Sequence, residues 1–256
     1  VTRVLVAVKR VADTSGEVVL TDDGQGLDGR FTGYTIGDHD SCAVELAIRV
    51  AEAGDGDVTV LSVGSSDATD QIRSAMALGA GAGILVEADV AAMGPADVAA
   101  QIAAVVRDAC ASGSTYDLVV LGNDAADTGD FQVPIRVAHA LGRPIVTGAR
   151  MLEVSDGVLV AQVQGPYADE TYELPLPAVV SVLEGGAEPR YPTLRGRMAA
   201  KKVQIEERGP VGTPAGGGRV RWHVPPPAPS EAEVIGQGAA AAPAVVEVLE
   251  KLGVLR

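Results

Sequence analysis

Val4-Leu5-Val6-Ala7-Val8, close to the start of the chain, is an almost unbroken run of aliphatic residues. A strand with one wet face alternates apolar and polar positions, whereas a strand buried on both faces, as in a parallel sheet, does not. The same signature returns in Val58-Thr59-Val60-Leu61-Ser62-Val63, in Ile84-Leu85-Val86 and in Leu118-Val119-Val120-Leu121-Gly122. Between these runs lie segments with apolar residues at helical spacing. The first covers about 41–53, with Val44, Ile48 and Ala51 on one face and Asp40 or Ser41 as its N-cap. Others cover 67–78, the alanine-rich 95–111, and about 131–141. Strands alternating with helices of this length predict an α/β fold, with a mostly parallel, doubly wound, Rossmann-like sheet covered on both faces.

Outside this frame the pattern changes. Residues 18–20, followed by Thr21-Asp22-Asp23-Gly24, read as an edge strand and a turn. After Arg143, short stretches at 149–154, 158–164, 170–174 and 178–183 read as a meander appended to the sheet, with Ser155-Asp156-Gly157 as a hairpin turn. Beyond residue 209, Gly216-Gly217-Gly218 and Pro225-Pro226-Pro227 cannot build a packed domain. They flank a short strand-like island at 219–224 that carries the only tryptophan, Trp222, and precede an apolar helical segment at 243–252. The expected division is an α/β nucleotide-binding domain at 1–202 and an extended arm at 203–256.

Composition narrows the function. With 256 residues, 47% of them hydrophobic, the chain can bury a full core. A formal charge of −14, with no basic face, argues against nucleic acid. Cys42 and Cys110 form no disulfide framework or metal spacing, which fits a reducing cytoplasm. No apolar run reaches the roughly 20 residues that cross a bilayer.

Three stretches invite a chemical reading. Gly79-Ala80-Gly81-Ala82-Gly83 looks like a dinucleotide fingerprint, but it follows a helix and precedes a strand, the reverse of that motif, and reads as a helix C-cap and turn. Gly37-Asp38-His39-Asp40 is a poor metal cluster, because adjacent side chains point apart; it reads as a loop opening a helix whose free N–H groups can hold a phosphate. Gly122-Asn123-Asp124-Ala125-Ala126-Asp127-Thr128-Gly129-Asp130-Phe131-Gln132 leaves a buried strand and enters a helix, the place where open α/β sheets bind ligands. Its small residues let backbone approach a ligand, with Asp127 and Gln132 as polar handles. His139 and His223 lack partners spaced for catalysis, and no Ser–His–Asp set, paired carboxylates or Walker loop is present.

Taken in order, several stretches resemble the β subunits of electron-transfer flavoproteins. They are Arg3-Val4-Leu5-Val6-Ala7-Val8-Lys9-Arg10-Val11, Ala43-Val44-Glu45, Ile72-Arg73-Ser74-Ala75-Met76-Ala77-Leu78-Gly79-Ala80, and above all Glu188-Pro189-Arg190-Tyr191-Pro192-Thr193-Leu194 continuing through Met198-Ala199-Ala200-Lys201-Lys202. The resemblance implies an electron carrier and not an enzyme. Its α subunit partner would hold the redox-active FAD, shared at the subunit boundary, and the pair would take electrons from dehydrogenases and pass them to a quinone reductase. This chain would supply a buried AMP and the surface that dehydrogenases dock on. By position the AMP contacts fall on Ala7, on Gly37, Asp38, His39 and Asp40, on Val63, and on Gly122, Asn123, Asp124, Ala125, Ala126, Asp127, Thr128, Gly129, Asp130, Phe131, Gln132 and Val133. Docking falls on Tyr191, Leu194 and Arg195, within a loop at 184–200.

The chain departs from the family pattern in places. Gly37-Asp38 replaces the usual Asn-Pro, His39 an aromatic, Thr14 a tyrosine near the flavin, and Gln164 a glutamate that helps hold the flavin domain. Thr14 and Gln132-Val133 lean towards the nitrogen-fixation-linked branch, some of whose members carry a second FAD in place of AMP and bifurcate electrons. The carboxylates of Asp38, Asp40, Asp127 and Asp130 disfavour a pyrophosphate relative to one phosphate, unless helix N-termini and Lys9 or Arg10 offset them. A second flavin would also have to pass Phe131 and His39. AMP is therefore the expected occupant. A nucleotide-free scaffold is the remaining reading.

Overall fold

The computed structural model describes residues 1–13, 15, 18–217, 221–226 and 232–255. In chain order the first half runs β1 (Arg3–Ala7), β2 (Arg10–Ala12), β3 (Tyr34–Ile36), α1 (Asp38–Ala53), β4 (Asp57–Gly64), α2 (Thr69–Met76), β5 (Ala82–Glu87), α3 (Pro95–Ala111), β6 (Leu118–Gly122) and α4 (Val133–Leu141). The second half adds β7 (Ile145–Ser155), β8 (Val158–Gln164), β9 (Asp169–Pro175), β10 (Ala178–Val182), α5 (Leu194–Lys202), β11 (Glu206–Arg208) and α6 (Ala242–Lys251). Among the described residues, nine strands form one sheet in the order β11-β5-β4-β1-β6-β10-β7-β8-β9, and β2 and β3 form a separate antiparallel pair.

The expected doubly wound α/β sheet is present, and its two faces bury different helices. Val4 and Val6 pack with α1 and α2 on one side, while Leu5 and Ala7 pack with α3 and α4 on the other. Val4, Leu5 and Val6 are all 0% exposed, which is why this stretch shows no polar alternation. From β1 the chain crosses to β4 and then β5 on one side, and returns through α3 to place β6 on the other side of β1. The sheet therefore reverses its winding between β1 and β6, and ligands of such sheets bind beyond the strand ends at that reversal.

Several sequence expectations are corrected. Residues 178–183 are not the last strand of a meander: β10 lies in the sheet interior, parallel to both β6 and β7. Its five residues, Ala178-Val179-Val180-Ser181-Val182, are all buried, the pattern of a two-faced strand. Only β7, β8 and β9 run as a meander, and their hairpin turn stands where expected, with Asp156 and Gly157 at φ 52° and 78°. Residues 18–20 make no strand. A turn closed by Thr21 N–H to Gly26 and Gly24 N–H to Thr21 leaves only an isolated bridge from Leu20 to Leu27, and the pairing passes instead to β2 and β3. The first helix begins at Asp38 with Gly37 as its N-cap, not at Ser41, whose hydroxyl lies inside the first turn and donates to the Gly37 carbonyl at 3.0 Å. The helix expected over 67–78 is a short 3-10 turn (Ser66–Ala68) followed by α2. The helix start expected at about 131 moves to Val133, because Phe131 sits at φ 54°.

The chain does not leave the sheet at residue 202. β11 pairs in parallel with β5, and the next residues lie along α3. There the Gln101 side chain pairs with both the N–H and the carbonyl of Val211, at 2.7 and 2.9 Å, and Asp97 accepts from the Ala215 and Gly216 N–H groups. The compact units are Val1–Trp222 and His223–Arg256. Within the second, α6 exposes Val245, Val246 and Val248.

Candidate functional site

The carboxyl ends of β1 and β6 are joined by one buried side chain. Asp40, in the first turn of α1, accepts from the Lys9 N–H at 2.7 Å and from the Gly122 N–H at 3.1 Å. Burial pushes its carboxyl up to about 7, against the two N–H donors and the Lys9 charge. Gly122 is required here, since a Cβ would stand 2.2 Å from an Asp40 oxygen. Ala7 and Val63 close β1 and β4 at the same edge, and both are buried towards α3 and α4.

The 122–133 loop folds back on itself. Asn123 N–H donates to the Val182 carbonyl, and the Asn123 side-chain oxygen accepts from the Ser181 hydroxyl at 2.7 Å. Thr128 and Gly129 N–H groups both donate to Ala125, with Gly129 at φ 59°. Asp127 accepts from the Lys9 ammonium at 2.6 Å, which brings a cation to the loop from the end of β1. Arg10 turns away, stacking 3.4 Å from the Tyr34 ring centroid and facing Asp67. Gln132 is engaged by Arg136. Phe131 is half exposed. His39 lies between this loop and a distant segment: its Nδ1 accepts from the Glu184 N–H at 2.8 Å, and its Nε2 is 3.5 Å from Asp124. The fold thus gathers the predicted residues of 37–40, 122–133, Ala7 and Val63 at one edge of the sheet.

The second predicted group lies on the segment entering α5. Tyr191, Leu194 and Met198 are 91%, 76% and 56% exposed, a large apolar display for neighbouring positions, and Arg195 is exposed beside them. Leu194 is not in a loop, because Thr193 caps α5 by accepting from the Gly196 N–H. The backbone beneath is anchored. Arg190 donates to both Glu45 and Glu52, and Arg49 donates to Glu45 at 2.6 Å. Burial raises the Glu45 carboxyl, but these hydrogen bonds outweigh it and leave it below the ordinary range. Arg73 donates to the Ala200 and Val203 carbonyls at the far end of α5.

The sequence places Glu45 and Arg190 in stretches that resemble the family but assigns them no role, and it does not show the bridging role of Asp40. The available signal was an acid placed between Val44 and Leu46, inside an apolar helix face. Thr14 lies outside the described residues, and Gln164 ends β8 with an exposed side chain. A cavity of about 460 Å³ between α3 and α4 borders Gln132, and one of about 650 Å³ lies beside α2 and β11; neither is lined by Ala7, Lys9 or Gly122. Among the described residues no cluster of three His, Cys, Asp or Glu side chains could hold a metal, and no helix is long and apolar enough to cross a membrane.

The sequence has relatives among known proteins. Residues 30–210 match the model of the electron transfer flavoprotein domain. The chain is 38% identical over 204 residues to a protein of Syntrophomonas wolfei named electron transfer flavoprotein subunit beta, covering 79% of this chain and 78% of that one. The protein of the same name from Mycobacterium leprae is 35% identical over 248 residues, 91% of this chain and 92% of its own. The human one is 35% identical over 208 residues, 80% of each. With most of its length so matched, the chain belongs to the electron-transfer flavoprotein β-subunit family.

Proposed function

We propose that this chain is the β subunit of a heterodimeric electron carrier and is not itself an enzyme. Its α subunit partner holds the FAD that accepts electrons from dehydrogenases, acyl-CoA dehydrogenases among them, and passes them to a quinone reductase or another acceptor in the cytoplasm. In this reading the β chain binds AMP beyond β1 and β6 and presents Tyr191, Leu194 and Arg195 to the donor.

The observation that carries the nucleotide is the stitched strand edge. Asp40 binds the N–H groups of Lys9 and Gly122, and the N–H groups of Asn123, Thr128 and Gly129 are spent inside the protein. Within the 122–133 loop, phosphate donors then narrow to the backbone of 124–127 and 130–133, the latter at the N-terminus of α4, where an anion is favoured. Gly122 and the alanines at 125 and 126 keep the approach open to a flat base or a ribose. The Lys9 ammonium already balances Asp127, and the Arg136 guanidinium is held by Gln132. That inventory suits one phosphate better than the two of a second FAD.

The test is to purify the chain with its α subunit and count nucleotides after extraction. One FAD and one AMP per heterodimer is the expected result. Two FAD and no AMP would replace the relay by electron bifurcation, and FAD without any second nucleotide would leave the β chain a scaffold.

A further inference from the structure

Helix α1 runs from the strand-edge site to the anchored segment before α5, and it touches that segment at three matched steps. His39 Nδ1 accepts from the Glu184 N–H at 2.8 Å, the Cys42 thiol donates to the Ala187 carbonyl at 3.2 Å, and Glu45 accepts from the Arg190 N–H at 3.1 Å. Both partners advance by three residues at each step, so residues 184–190 follow one face of the helix in register. All three α1 residues are largely withdrawn from water, with Cys42 and Glu45 at 4% and 2% exposure. Contacts of this kind hold backbone to backbone with little slack.

The first step differs from the other two. The polar contacts of Cys42 and Glu45 go to the 184–190 segment and their own helix, whereas His39 also faces the 122–133 loop through Asp124. The His39 and Asp124 side chains are 18% and 12% exposed, so this approach is shielded from solvent. Nδ1 is an acceptor for Glu184, which places the ring proton on Nε2, the nitrogen that faces the Asp124 carboxylate. One imidazole thus reads the position of Asp124 with one nitrogen and the Glu184 backbone with the other.

The loop on the Asp124 side is the less constrained partner. Residues 126–129 are exposed, and the bonds that fold them are the short turn onto Ala125 and the Lys9–Asp127 pair. Such a segment has local freedom for a ligand to remove, and removing it is a source of coupling between sites.

We propose that His39 couples occupancy of the strand-edge crevice to the ordering of residues 184–193, so that bound nucleotide braces the segment that presents Tyr191 and Leu194. This rests on the nucleotide reading above. By linkage, a donor that docks on the braced segment tightens the nucleotide by the same factor.

The experiment is hydrogen–deuterium exchange on the intact heterodimer, stripped of nucleotide by dialysis against a chaotropic salt and then reloaded with AMP. AMP stoichiometry is measured on the same samples, and a peptide from 95–111 serves as the remote control. Peptides covering 183–193 should exchange at least about fivefold more slowly with AMP, a coupling at the low end of those usually met. AMP bound at one per heterodimer with no change in 183–193 overturns the coupling alone. Failure of AMP to bind overturns the nucleotide reading and the coupling with it, and the stoichiometry distinguishes the two. His39→Phe, examined at saturating AMP, should lose the AMP-dependent protection of 183–193, and its retention would overturn the role of His39. Should that variant fail to assemble, Glu184→Pro removes the N–H donor while keeping the imidazole. The same loss is expected, and full retention again counts against the proposal.

Discussion

The strand-edge crevice and the segment leading into α5 are built on opposite plans. At the crevice, polar groups turn inward: a buried carboxylate takes two backbone N–H groups, and the loop above it is small, acidic and partly exposed. Before α5 the polar groups are hidden behind the surface instead. Glu45 and Arg190 hold the backbone from beneath, while Tyr191, Leu194 and Met198 project outward. The first plan suits a small ligand that completes the structure. The second suits a rigid platform for a protein, because anchors already held in place lose little freedom on binding.

The largest effect should come from taking away the support of that platform. Arg190→Ala leaves the Glu45 carboxylate, 2% exposed, with Arg49 as its cationic partner. Breaking a buried pair from one side costs roughly 3–5 kcal/mol, and the remaining arginine places this case near the lower end. A lowered melting temperature of the heterodimer, together with slower reduction by the donor, is the expected result. Unchanged melting would show that the pair does not support the platform.

Removing an anchor while keeping the support should separate docking from folding. Leu194→Ala trims a side chain that is 76% exposed, so thermal stability and FAD content should stay as they are. Donor-linked kcat/KM should fall by the equivalent of roughly 2 kcal/mol, as for a buried anchor of an interface. A drop in melting temperature with unaltered kinetics would assign Leu194 to its own fold.

The smallest effect belongs to the crevice and depends on pH. The Asp40 carboxyl is raised to about 7 in the fold, so the native chain holds a proton there that the unfolded chain has already released above about 4. The contribution of Asp40 to stability is therefore greatest at low pH, declines as pH rises towards about 7, and is level beyond it. Asp40→Asn has no such proton. The melting temperature of the native heterodimer minus that of the variant should fall between about pH 4 and 7 and then flatten, by about 2–4 °C for each kcal/mol in a chain of this size. A difference that does not vary with pH would mean that Asp40 is ionised throughout.

The two regions also differ in how far the sequence reveals them. Residues 37–40 and 122–133 stand at a helix start and a strand end, positions that local pattern can locate, and the fold brings them together. The bond that joins them is not local. Asp40 reads as a cap or a solvated acid until Gly122, 82 positions away, supplies an N–H and the space for a carboxylate. Glu45 is similar, since its burial depends on Arg190, 145 positions along the chain. Among the strands, those buried on both faces were legible from their unbroken apolar runs. β10 carries that signature too, but its place after three meander strands suggests continuation of the meander. The start of α1 was misplaced because Ser41 resembles an N-cap, while the actual cap, Gly37, contributes no side-chain hydrogen bond.

The nine-stranded sheet ends in β9 on one side and β11 on the other. Open edges invite pairing with further strands, and charge is a common defence against it. β9 contributes Asp169, Glu170 and Glu173, with no lysine or arginine anywhere from 158 to 175, while β11 contributes Glu206 and Glu207 beside Arg208. Copies meeting at β9 would set carboxylate against carboxylate. The acidity of β9 thus opposes growth of the sheet at that edge, an opposition that weakens in acid or in high salt.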